Sequence, residues 1–238
     1  MKPLQNPHNL GIFANTEAVM ARLTGDIIYD LAGDDVCPDG YFKVVLDFIE
    51  KHAIDWKNEL FCIHGDYMEI EPDGKSIVFS NKMILKHDAL KLKVRKLICN
   101  RSSCFSKKVL DKFEKGSDGQ SFNAEYVQDC QLSLFTEKHY YIPVVGNVYF
   151  AGIGISSRMS EEQKRQNVIE GYDRLIEFIN AHGRSFDKKD LAFIEFIRAH
   201  CYGQKVMSLR WWLRSIDLSL GFNGLGLDRI FHSLRKKL

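Results

Sequence analysis

Ser160 and Gln163 stand three residues apart at the head of a long run in which apolar residues recur every three or four positions. A serine hydroxyl and a Gln side chain at that spacing satisfy each other's backbone amides at a helix start, so the pair fixes where one helix begins. Gly183 supplies the matching stop, after His182. The resulting helix is the longest the sequence predicts. Val168, Ile169, Tyr172, Leu175, Ile176 and Ile179 form its apolar stripe, with Glu161, Glu162, Lys164, Arg165, Glu170 and Glu177 on the other side. A stripe of that kind serves either a core helix lying on a sheet or a seam between two copies.

This helix separates two kinds of pattern. Before it, helices and strands mix. Thr16 to Leu23 has helical spacing, Ile27-Ile28-Tyr29 reads as a strand, and Tyr41 to His52 carries Val44, Val45, Phe48 and Ile49 at helical intervals. Leu60 to His64 and Tyr67 to Ile70 read as extended, and Pro72-Asp73-Gly74 turns the chain into Ser76-Ile77-Val78-Phe79, a hairpin. Leu90, Leu92 and Val94 alternate with Lys91, Lys93 and Arg95, predicting a strand with one apolar face and a row of cations on the other. Ser106 is placed to cap a helix over Lys107 to Lys115, closed by Gly116. His139 to Val145 and Val148 to Ile155 predict two strands of a hairpin around a Gly146-Asn147 turn, with Pro143 placing its strand at an edge or a bulge.

After Gly183 only the helical period remains. Asp187 or its neighbour opens a helix with Leu191, Phe193, Ile194, Ile197 and Cys201; Ser208 opens a second with Leu209, Trp212, Leu213 and Ile216; a third follows Gly224 and Gly226 with Leu227, Ile230, Phe231, Leu234 and Leu238. The fold class expected is α+β: an antiparallel-sheet N-terminal domain with flanking helices (residues 1–157), a connecting helix (158–183) and a small all-α module (184–238).

Composition sharpens the division. From Gly183 onward the chain has eleven Lys and Arg against five Asp and Glu, whereas the rest has 22 against 26, although the net charge is only +2. A basic end on a mildly acidic body suits contact with a polyanion, and equally a solvated helical face. At 45% hydrophobic residues a real core is assured. No stretch has the length of charge-free apolar sequence that a membrane span needs, and the first nine residues lack the apolar run of a secretion signal, so a soluble, cytoplasmic protein is expected. The six cysteines are spread through the chain and read as reduced, buried thiols; only Cys99 and Cys104 are close, with no second Cys/His pair, and neither a metal site nor a cofactor is expected.

On the last helices, Arg229, His232, Arg235, Lys236 and Lys237 lie mostly off the apolar stripe, and Arg210 and Arg214 flank Trp211 and Trp212. The segment from Phe186 to Leu238, with its Leu-Arg-Lys-Lys-Leu ending, resembles the helical DNA-binding part of bacterial winged-helix and LuxR-type response regulators. That resemblance implies double-stranded DNA as partner, with Arg229, His232, Ser233 and Lys236 reading the groove and Arg210, Arg214, Arg235 and Lys237 holding phosphates. The sequence departs from it in its glycine-rich Gly221 to Gly226 stretch and in lacking a strand pair after Leu238. The layout ahead of it is similar to PAS-like, GAF-like or autoinducer-binding sensor domains, which implies a homodimer, a small-molecule or protein effector and no catalysis. Tyr140, Tyr141, Tyr149 and Phe150 are then candidates to line a cavity, or are simply core.

Two other functions fit the same residues. The basic helices suit an acidic protein partner, as in an accessory factor. His64, Asp66 and Glu69, near a strand end, have the side chains of a metal-dependent hydrolase or nuclease. Gly152-Ile153-Gly154 is only a weak mimic of a phosphate loop, and His87-Asp88 and Lys138-His139 read as solvent-facing pairs.

Overall fold

The structure is a computed structural model and describes residues 8, 10–114, 124–153 and 158–225. The chain is α+β, with a single mostly antiparallel sheet, one long helix and helices at the C-terminal end. The elements run α1 (Gly11–Met20), β1 (Ile27–Tyr29), α2 (Tyr41–Lys51), β2 (Phe61–Ile70), β3 (Ser76–Phe79), α3 (Ala89–Val94), β4 (Ser103–Ser106), α4 (Lys107–Leu110), α5 (Ala124–Phe135), β5 (Lys138–Phe150), α6 (Glu161–Ala181), α7 (Lys188–Cys201) and α8 (Lys205–Ser215). The helix expected after Gly226, with Arg229, His232, Ser233, Arg235, Lys236 and Lys237, lies outside the described residues.

β2 is the spine of the sheet. One side pairs antiparallel with β4 through Cys62 to His64 and with β3 through Tyr67 to Ile70, and β4 in turn carries β1. The other side pairs with β5 in parallel, from Phe61↔Lys138 to Ile70↔Phe150, with register breaks on either side of Asp66. The hairpin expected over residues 67–79 is present. The one expected around Gly146-Asn147 is not: β5 runs unbroken through both residues, and Gly146 is absent from the glycines with left-handed backbone. Its missing side chain serves packing instead. A Cβ on Gly146 would run into the Tyr41 ring at Cζ, and one on Gly65 of β2 would lie 2.8 Å from the Tyr41 hydroxyl. Tyr41 is thereby pressed flat against the β2–β5 seam, its hydroxyl donating to the Ser102 carbonyl at 2.6 Å. Pro143 sits in the outermost strand beside β2, where its lack of an N–H is tolerated.

Apolar clusters cover both faces of the sheet. Tyr41, Val45 and Ile49 of α2 pack with Phe61, Ile63, Cys104 and Ile142; Cys62 and Phe105 face Val109, Leu110 and Leu132 from the other side. A third cluster joins Leu90 and Val94 of α3, Cys130 of α5, Tyr172, Leu175 and Ile179 of α6, and Phe193, Ile194, Phe196 and Ile197 of α7. The α6 stripe is thus a core face within one chain. Its start has the capping box, Ser160 Oγ accepting from the Gln163 amide at 3.1 Å and Gln163 Oε1 from the Ser160 amide at 2.8 Å.

The segment expected as a strand at residues 90–95 is the helix α3, N-capped by Asp88, which accepts from the Lys91 amide at 2.8 Å. Its alternation is not a two-faced pattern at all: Leu90, Leu92 and Val94 are buried, and so are Lys93 and Arg95, because the helix is wedged between neighbours on every side. The cations face carboxylates of the same chain, not water or a free anion. Two smaller corrections concern ends. α1 starts earlier than expected, and α4 is a single turn whose expected cap fails, since the Ser106 hydroxyl is buried without a partner among the described residues.

Candidate functional site

Asp187 accepts from the amides of Lys189 and Asp190, both at 2.8 Å, and so starts α7 as the sequence predicts. α7 ends in a three-residue turn, Tyr202-Gly203-Gln204, with Gly203 at φ 68° and the Gln204 amide returning to the Ala199 carbonyl at 2.9 Å. A left-handed glycine turns the chain here without strain, and α8 begins at once, three residues ahead of the expected start at Ser208.

α8 faces the body with Ser208, Trp211, Trp212 and Ser215, spaced three, four and seven apart. The two serines are buried and keep the helix close; the two indoles pack against the α6–α7 core. The expected inward residues Leu209 and Leu213 point the other way, each 56% exposed, and Val206 is 82% exposed. The tryptophans displace the leucines because an indole buries far more apolar area.

Among the module's described cations, Lys189 and Arg198 are paired with carboxylates, whereas Arg184, Lys188, Lys205, Arg210 and Arg214 are exposed with no carboxylate partner among the described residues. Lys189 reaches Asp217 at 3.1 Å, and Arg198 pairs with Asp173 of α6 and Glu195 of its own helix. Arg210 and Arg214 stand one turn apart on α8. The Arg214 guanidinium lies over the Trp211 ring, 5.0 Å from its centroid. Stacking on an indole orients a guanidinium and leaves its edge N–H groups free to donate.

A second polar cluster lies inside the sheet. His64 is 1% exposed, with Nδ1 3.1 Å from Ser103 Oγ and Nε2 3.0 Å from His139 Nδ1. Burial, then His139 and Lys93, push the His64 imidazole down to about 3; burial lowers His139 to about 4, against the pull of Asp88. His139 is therefore not the solvent-facing residue expected, and Asp88 is the α3 cap. Asp66 turns instead to the Tyr141 hydroxyl at 3.1 Å, across the register break. His64, Asp66 and Glu69 do not converge: among the described residues no group of three His, Cys, Asp or Glu side chains is placed to hold a metal ion.

The expected cavity aromatics divide similarly. Tyr140 donates to Glu59 at 3.2 Å, Tyr141 meets Asp66 and Ser80, and Tyr149 lies under the Arg101 guanidinium at 4.1 Å. Arg101 in turn pairs with Asp35 at 3.1 Å, which also accepts from Asn147 at 3.0 Å. Asp35 carried no sequence signal, because it joins Arg101 and Asn147 only through sheet pairing.

All six cysteines are free thiols. Among the described residues, no helix is long and apolar enough to cross a membrane. No protein-family model and no curated protein matches the chain.

Proposed function

We propose that the chain is a DNA-binding regulator whose α7–α8 corner meets the duplex and whose sheet-bearing body serves as the sensing and pairing part of a homodimer. One observation carries this reading: among the described residues α8 leaves Arg210 and the indole-stacked Arg214, one turn apart, exposed with no carboxylate partner, while Lys189 and Arg198 of the same module are matched by carboxylates. Two helices joined by a three-residue, glycine-containing turn have the connectivity of a helix-turn-helix. In that arrangement the two arginines hold phosphates, and groove reading falls to the segment after Gly226, through Arg229, His232, Ser233 and Lys236, with Arg235 and Lys237 on phosphates.

The test is an anisotropy titration of labelled duplex DNA over a range of salt. Binding that weakens steeply as salt rises supports the reading, and no binding at low salt overturns it.

A protein partner is the second reading, favoured by the exposed Val206, Leu209 and Leu213 beside the two arginines. An acidic amphipathic helix would cover both the apolar and the cationic groups. Such a partner would keep its affinity in the presence of excess DNA only if the two surfaces differ.

A further inference from the structure

α3 is only six residues long, yet three successive polar positions on and just beyond it reach two separate parts of the molecule, α5 on one side and the α7–α8 corner on the other. Lys93, buried, pairs with Asp129 of α5, whose backbone and side-chain oxygens also accept from Asn100 at 3.3 and 3.2 Å. Lys91 bridges Asp187 at 2.9 Å and Asp217 at 2.5 Å, the residues that open α7 and follow α8. Arg95 holds Asp190 of α7 at 2.6 Å and the Ser215 carbonyl at the end of α8 at 3.0 Å, with its ring-facing side 5.5 Å from the Phe193 centroid. The Tyr172 hydroxyl of α6 donates to the Val94 carbonyl at 3.0 Å.

Two features of this network suit movement more than simple cement. Its pairs are shared: Asp217 meets both Lys91 and Lys189, and Lys91 meets both Asp187 and Asp217, so either group can give up one partner and keep another. Among the described residues Arg95 also keeps one guanidinium nitrogen, Nη2, buried without an acceptor. A buried donor in that state favours any shift that brings an acceptor to it.

We propose that α3 is a charge-held coupler that transmits a change at Asp129, on the sheet side, to the α7–α8 corner. Lys93 touches the first and Arg95 and Lys91 the second, so a shift of the helix cannot alter one contact and leave the other unchanged. The sheet-side end is well placed to respond, because Asn100 is the chain neighbour of Arg101, which lies over Tyr149 and pairs with Asp35. A body that loosens or tightens around those residues would thereby reset how α8 presents Arg210 and Arg214. The coupler goes beyond DNA binding and holds whatever α8 contacts.

Amide hydrogen exchange on the free, full-length protein tests it. Asp129→Asn removes the charge that Lys93 faces, and the side chains that Asp129 pairs or hydrogen-bonds with, Lys93, Asn100 and Ser133, lie outside α7 and α8. With coupling, amides of α7 and α8 exchange about fivefold faster or more, the lower bound for a typical coupling between sites. Gly146→Ala, which strains the sheet away from α3, serves as the reference for general loss of stability. If Asp129→Asn raises exchange in α7 and α8 no more than Gly146→Ala does at matched global stability, the coupler is overturned. Lys93→Met provides the second route should Asp129→Asn fail to fold, with the same two outcomes. Because DNA is absent from the measurement, its failure and the failure of the DNA-binding reading are separate results.

Discussion

His64 Nε2 and His139 Nδ1 lie 3.0 Å apart in the buried sheet, with Ser103 on the far nitrogen of His64. Only one proton fits between two imidazole nitrogens at that distance, so the rings cannot both be charged, and burial favours the neutral form of each.

Acid should therefore unfold this protein through its histidines before its carboxylates. Both imidazoles titrate below their ordinary value of 6.5, at about 3 and about 4, so the unfolded chain takes up protons that the folded one refuses. The stability they contribute is complete above pH 6.5 and is lost as pH falls from there toward 4 and 3; for His64 the total is on the order of a few kcal/mol. Urea midpoints measured from pH 7 to pH 4 should fall steadily, and His64→Gln should flatten the slope. A slope unchanged in the variant would count against the pair.

Gly146→Ala should destabilise the fold by about 1–3 kcal/mol, the usual cost of overpacking. The added methyl meets the Tyr41 ring itself, at Cζ, so removing the hydroxyl with Tyr41→Phe should not rescue it. Tyr41→Phe alone should cost about 1 kcal/mol through the lost bond to Ser102. Chemical denaturation of the two single variants and the double would show whether the costs add.

Arg214→Ala should weaken DNA binding across all sequences tested and reduce the slope of log affinity against log salt by about 1, as expected when one phosphate is no longer neutralised. Trp211→Leu should act in the same direction by removing the surface on which the guanidinium rests. A loss confined to one DNA sequence would reassign Arg214 to base reading.

Ser160→Ala should cost about 1 kcal/mol, because it opens the capping box at the start of α6. Ser160→Asp should retain most of that stability, since a carboxylate accepts from the same amides and suits a helix N-terminus. Thermal denaturation of the two variants would separate them.

What could be read from the sequence follows from how local each signal is. The capping box of α6, the Asp187 cap of α7, the β2–β3 turn and the edge position of β5 all rest on a few neighbouring residues, and each is present. α3 misleads because six alternating residues fit a strand as well as a buried helix, and only the Asp88 cap distinguishes them. Gly146-Asn147 reads as a turn because the residue that needs the glycine, Tyr41, is remote in sequence. The His64–His139 contact and the Asp35–Arg101–Asn147 group are invisible for the same reason: the parallel pairing of β2 with β5 creates them. On α8 the arginines and the inward Trp212 were legible, but not that Trp211 would join Trp212 on the buried face and leave Leu209 and Leu213 outside.

The parallel seam also sets the order in which the molecule can assemble. Phe61 finds its partner only at Lys138, and Ile70 only at Phe150, so a ribosome must release most of the body before the central ladder can close. Until then β2 waits with one edge bare, able to hold β3 and β4 but open to any other extended chain. Early synthesis, more than the finished fold, is where this protein is exposed to aggregation.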